Sequence, residues 1–162
     1  MDLELWILLR LVISAVLSGL IGYERERTGK DAGLRTHMLV ALGATLFVSF
    51  TDLFVIESVP LAPPSPPGNL RIQIEPLATV EAIVTGISFL GAGTIFVSGK
   101  GRRVQGLTTA ASIWVTAAVG IAVGLERYVL ACGSTVLILL ILYVIGKFDV
   151  RPRQDASAPP AG

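Results

Sequence analysis

Five long apolar stretches, separated by gaps that alternate between basic and nearly uncharged, constrain this chain more than any other feature. They run approximately from Leu3 to Gly22, Thr36 to Ile56, Leu77 to Val97, Leu107 to Leu125 and Tyr128 to Gly146. A helix needs about 20 apolar residues to cross about 30 Å of hydrocarbon, so each stretch reads as one crossing. Ten of the thirteen Lys and Arg residues lie in three segments. These are Arg25, Arg27, Lys30 and Arg35 in the first gap, Lys100, Arg102 and Arg103 in the third, and Lys147, Arg151 and Arg153 after the last stretch. Basic loops stay on the cytoplasmic side. The other gaps carry only Arg71 and Arg127, and Met1-Asp2-Leu3-Glu4 carries no base. The expectation is an all-α integral membrane protein with five transmembrane helices, its amino terminus outside and its carboxyl terminus cytoplasmic.

At 162 residues, 52% of them hydrophobic, the chain has room for one membrane domain over residues 1–148. Residues 149–162, rich in Ala, Pro, Ser and Gly, are expected to form a disordered cytoplasmic tail. A net charge of +1 and short basic clusters fit a topology signal beside membrane lipid and do not call for nucleic acid. Cys132 is the lone cysteine, which excludes an intramolecular disulfide and a multi-thiol metal site. The first stretch has an acidic leader and is interrupted by Arg10, so it reads as an uncleaved span. Pro60, Pro63, Pro64, Pro66 and Pro67 predict a non-helical outside loop. Leu70 to Glu75 alternates apolar and polar, as a short extended piece would. Pro76 suits the first turn of the third helix.

Arg10, Asp52 and Glu81 are ionisable residues placed inside apolar stretches, all in the expected outer half of the bilayer. Charges there pair or face a watery cavity. Arg10 either locks the first three helices together through Asp52 or Glu81, or shares with them a cation or proton site. Two carboxylates could offer oxygen ligands to a hydrated Mg²⁺. On the inner side, Glu24, Arg25, Glu26 and Arg27 lead through Gly33 to Arg35, Thr36 and His37. That run reads as an interfacial collar of solvated salt bridges, with a partner surface as the alternative. His37, the single histidine, is either a hydrogen-bonded interfacial residue or a pH-sensing group. Small residues at Gly86, Gly91, Gly93, Gly120 and Gly124 are candidate helix-packing positions, since helices in lipid associate by close backbone approach. The Gly120–Gly124 pair is expected to pack within the chain rather than form a dimer seam. Gly93 to Gly101 fails the spacing of a phosphate-binding loop, and the chain holds no nucleophile, base and orienting acid on one side of the membrane. It is not expected to be an enzyme or to need a cofactor.

Four ordered segments resemble the signature motifs of the MgtC/SapB family of bacterial inner-membrane proteins. They are Tyr23-Glu24-Arg25-Glu26-Arg27, the run from Ala32 to Gly43 containing Gly33-Leu34-Arg35-Thr36-His37, Ser88-Phe89-Leu90-Gly91-Ala92-Gly93-Thr94-Ile95, and Gly106-Leu107-Thr108-Thr109 continuing to Trp114. The resemblance implies a five-helix multi-pass domain of the bacterial inner membrane tied to magnesium homeostasis and, in pathogens, to survival inside macrophages. Two roles remain open. The first, from the charges inside the apolar stretches, is a Mg²⁺ transport-related protein in which Asp52 and Glu81 form part of a cation pathway with Arg10 as the competing internal partner. The alternative is a non-transporting regulator that binds another membrane complex, such as the ATP synthase or a magnesium pump. The chain departs from the family at Glu75-Pro76-Leu77-Ala78, which lacks a basic residue two places after the proline, and at Gly86-Ile87-Ser88-Phe89, where Ser88 replaces a glycine. It is read as the membrane domain alone, without the carboxy-terminal ACT-like domain of many relatives. A homo-oligomer is expected, with a symmetric dimer as the default.

Overall fold

The computed structural model describes residues 3–58, 76–98 and 103–148; only the backbone is described at 52, 54–58, 76, 98, 103 and 145–148. The proline-rich loop, the Leu70 to Glu75 segment and the tail lie outside these residues. Five helices dominate: α1 (Leu3–Arg27), α2 (Leu34–Ser58), α3 (Pro76–Gly93), α4 (Leu107–Gly124) and α5 (Tyr128–Phe148). Three contain spans long and apolar enough to cross a bilayer, namely Leu3–Arg27, Leu34–Thr51 and Leu107–Gly124. Leu77–Gly93 and Tyr128–Val144 form shorter apolar helices.

The third apolar stretch is not helical as far as Val97. After Gly93 the chain turns, with Thr94 N–H donating to Gly91 O at 3.0 Å and Ile95 N–H to Ala92 O at 3.1 Å. It then forms β1 (Phe96–Ser98), antiparallel to β2 (Arg103–Gln105), with Val97 opposite Val104. Gly91-Ala92-Gly93 weakens the helix, and the β-branched and aromatic run from Thr94 to Val97 favours a strand. The described chain is therefore helical with one small hairpin, not wholly α. Gly106 closes the hairpin at φ 85°, and a β-carbon there would fall 1.8 Å from Thr94 O, so no other residue fits.

α1, α2 and α4 form the centre, with α3 packed chiefly on α4 and α5 on α4 and α1. α1 runs antiparallel to α2: Gly22 lies against Leu34, and Ser14 against Thr45. α4 runs parallel to α2, with Ser112 beside His37 and Gly124 beside Val48. Ile21, Ile113, Val119 and Val123 are buried, but so are Ser14, Ser18, Thr45, Ser49 and Thr116. Ser18 and Thr116 donate to carbonyls one turn back, Ser14 O and Ser112 O, both at 2.7 Å. Such back-bonding lets a hydroxyl sit in an apolar interior without an orphaned donor.

Three glycines set the helix spacing. A β-carbon on Gly22 would lie 2.7 Å from Leu34 Cα, on Gly120 2.5 Å from Ala41 O, and on Gly124 2.8 Å from Val48 Cβ. Gly91 makes only ordinary contact with Ala110, and added β-carbons on Gly86 and Gly93 would meet nothing within 4 Å among the described residues. α1 and α2 are 25 residues long and α4 only 18. The α4–α5 turn therefore ends level with Val48 and Arg10, short of the far ends of the longer helices.

Candidate functional site

Two polar clusters bound the central packing, one at the α1–α2 loop and one where α4 turns into α5. At the α1–α2 loop, α1 ends with Gly29 in the left-handed region at φ 67°. Lys30 N–H reaches Arg25 O and Gly29 N–H reaches Glu26 O, both at 3.0 Å, which satisfies carbonyls the helix leaves open. Four residues later α2 starts with no capping side chain of its own, because Ala32 and Gly33 offer none. Glu26 supplies the cap from the preceding helix, accepting Leu34 N–H at 2.8 Å. Arg25 is buried and donates through Nε to Glu24 at 2.5 Å.

His37 is fully buried and ties this loop to α4. Its Nδ1 lies 2.8 Å from Gly33 O, and since a carbonyl only accepts, Nδ1 carries the proton. Nε2 lies 3.1 Å from the Ser112 hydroxyl, whose one proton is shared between Nε2 of the neutral ring and Thr109 O at 2.8 Å. Glu24, Arg25, Glu26 and His37 thus form a clasp across α1, α2 and α4, with Arg25 and His37 inside the protein, not in a solvated collar. Arg35 is exposed and Thr36 half-buried in the first turn of α2.

The second cluster lies at the α4–α5 turn. Arg10 is 5% exposed, donates to Gly124 O at 3.2 Å, and pairs with the Glu126 carboxylate. Glu126 occupies the position after the α4 cap at φ 60°. Arg127 N–H bonds Ala122 O at 2.8 Å and Glu126 N–H bonds Val123 O at 3.0 Å, the same closure that Gly29 makes at the end of α1. A side chain in that conformation costs about 1 kcal/mol. Placing a glutamate there puts a carboxylate, 58% exposed, against a buried guanidinium.

Of the acids singled out from the sequence, Glu81 is exposed on α3, and the structure does not bring it to Arg10. Asp52 lies in α2, with its side chain outside the described residues. Glu126 was missed because it sits beside Arg127 in a short gap and reads as a solvated loop pair. The available signal was a non-glycine residue where the Gly124-Leu125 helix end calls for a left-handed one. Between the clusters, the Thr45 hydroxyl lies 2.8 Å from both Ser14 Oγ and Gly120 O. Ser49 Oγ, one turn further along α2, is buried with no hydrogen-bond partner among the described residues. Among the described residues no three His, Cys, Asp or Glu side chains are grouped to hold a metal ion.

These features define a helical membrane protein with charged clasps at both ends of a tightly packed three-helix centre. Comparison with known sequences gives its family: the MgtC family matches residues 11–151, and the chain belongs to it. An Escherichia coli K12 protein named "Putative magnesium transporter YhiD" is 38% identical over 149 residues, 89% of this chain and 62% of that protein. Protein MgtC of Salmonella typhimurium LT2 is 39% identical over 132 residues, 82% of this chain and 49% of its own length. Protein MgtC of Brucella abortus 2308 is 40% identical over 126 residues, 78% and 45%. The chain thus spans less than two thirds of the length of these relatives. No solved structure matches it.

Proposed function

We propose that this chain is a multi-pass domain of the bacterial inner membrane serving magnesium homeostasis, and that it acts as a non-conducting modulator of another membrane complex such as a magnesium pump or the ATP synthase. Membership of the MgtC family and the magnesium in the name of the Escherichia coli relative support the first part. The second part is carried by one observation: α1, α2 and α4 meet at backbone contact through Gly22, Gly120 and Gly124. A path for a hydrated ion along that seam would have to separate the helices. Mg²⁺ holds its water shell tightly and needs room for it.

A transport reading is favoured by a different observation, the half-exposed Glu126 carboxylate against buried Arg10. A cation binding there would compete with the guanidinium. The deciding measurement is Mg²⁺ flux into proteoliposomes holding only the purified protein. We expect flux equal to that of protein-free vesicles. Flux that is lost in Glu126→Gln, or in Asp52→Asn combined with Glu81→Gln, would replace the modulator reading with transport.

A further inference from the structure

We infer that the three-helix centre holds an oxyanion site at its α1–α2 loop end, where Arg25, the Thr109 hydroxyl and the first turn of α4 bind a phosphate group. The inference stands apart from the modulator reading and starts from helix register. Among the buried residues of α1, Arg10, Ser14, Ser18, Ile21 and Arg25 recur every three or four positions and so share one face. Arg10 bonds Gly124 O, and one turn further on Ser14 meets Gly120 through Thr45, whose hydroxyl lies 2.8 Å from both. Beyond that, Gly22 packs against His37, which bonds Ser112. Each step along α1 is thus matched by an equal step back along α4. Both helices rise about 1.5 Å per residue, so the same register sets Ser18 level with Thr116, Ile21 with Ile113, and Arg25 with Thr109. All six are buried.

The layer of Arg25 and Thr109 holds more hydrogen-bond donors than the described chain uses. Arg25 is 3% exposed, yet its partner among the described residues is Glu24, which takes the Nε–H and leaves both amino groups over. Thr109 is also 3% exposed, and its hydroxyl has no hydrogen-bond partner among the described residues. Glu26 closes the first N–H of α2 at this end, but α4 starts at Gly106 with no side-chain cap. The first N–H of α4 to reach a backbone acceptor is that of Ala110, so those of Leu107, Thr108 and Thr109 are open among the described residues. Enclosed donors are seldom left unused. What completes the layer must therefore bring acceptors and negative charge. The two oxygens of a carboxylate would be taken up by the guanidinium fork alone, whereas a phosphate has further oxygens for the hydroxyl and the helix N–H groups. The group is free phosphate or the phosphate of a lipid headgroup, which share this chemistry.

The test uses the full chain. Protein stripped of phospholipid in maltoside detergent is titrated with radiolabelled inorganic phosphate by equilibrium dialysis, and the titration is repeated in phospholipid nanodiscs. Saturable binding at one site per chain is expected in detergent. Thr109→Val keeps the side-chain shape, removes the hydroxyl and should weaken binding about threefold. Arg25→Lys keeps the charge, removes the fork and should weaken it about tenfold or more. Arg127→Gln, at the opposite end of α4, removes a charge away from the site and should leave the affinity unchanged. A site still open to phosphate in nanodiscs identifies the free ion as ligand, and a site closed there identifies the headgroup. Absence of saturable binding by the stripped protein would overturn the inference. So would wild-type affinity in either site variant, or an equal loss in Arg127→Gln. Should Arg25→Lys fail to fold, Thr109→Val decides.

Discussion

Replacing Gly120 by alanine should weaken the protein, while the same change at Gly86 should leave it as stable or more so. At Gly120 the new β-carbon would fall 2.5 Å from Ala41 O and 2.9 Å from Ala41 Cα. Carbon atoms in contact rest at about 3.5–4.0 Å, so α4 must move away from α2 by about 1 Å. The obstacle is backbone and cannot rotate aside. Overpacking of this kind costs about 1–3 kcal/mol, and the displacement also stretches the 2.8 Å Thr45 contact to Gly120 O. Alanine recovers up to about 1 kcal/mol of helix propensity, leaving a net loss of about 1–2 kcal/mol. At Gly86 no described residue lies within 4 Å of the new β-carbon, so the propensity gain remains. Two substitutions of identical chemistry should therefore differ by about 2–3 kcal/mol, or about 4–12 °C in midpoint for a chain of this size. Thermal unfolding in detergent, followed by the loss of the monodisperse peak of a fluorescent fusion, resolves that gap. Coincident midpoints would refute the claim that Gly120 sets the α2–α4 distance.

Three further outcomes follow from the clusters. Glu126→Gln removes one negative charge beside Arg10 and should cost about 1 kcal/mol, moderated by the exposure of the carboxylate. Glu126→Gly loses the same charge but relieves the left-handed backbone, so it should unfold at a higher temperature than the glutamine variant; the reverse order would contradict the strain at that turn. Glu26→Ala should cost about 1 kcal/mol by uncapping α2, with Glu26→Gln retaining most of the stability because its amide oxygen still accepts Leu34 N–H, as thermal midpoints would show. Ser49→Ala deletes a buried hydroxyl that has no partner among the described residues and should be neutral or stabilising by up to about 1 kcal/mol; a clear loss of stability would mean that the hydroxyl is engaged.

The helices were legible because periodic punctuation by Arg, Lys, Gly and Pro divides long apolar runs, and two boundaries moved appreciably: α1 continues past Gly22 to Arg27, through the charged run, and α3 stops at Gly93 short of Val97. At Gly93 local propensity ended α3 before hydropathy did, since Val and Ile are equally apolar in a strand and in a span. The cluster at the α1–α2 loop was legible as a motif but not as an arrangement. Charges in sequence look solvated, and only the close approach at Gly22 and Gly33 shows that Arg25 and His37 are enclosed. Arg10 stands out in the sequence as an isolated charge in an apolar run, whereas Glu126, a described partner, lies 116 positions away in the chain. Hydropathy cannot supply that pairing, because it depends on how deep the α4–α5 turn sits beside α1.

That depth has a consequence for the membrane itself. α2 continues for roughly 10 residues past Val48, about 15 Å, and α1 begins about 10 Å before Arg10, while α4 has already turned back. One flank of the molecule is therefore matched to a thick bilayer and the flank at the turn to a thin one. Lipids around it must tilt, compress or let headgroups dip toward Glu126 to follow the step. The step between the end of α2 and the α4–α5 turn is thus built into the described helices, and a bilayer would have to follow it before any side chain touches another.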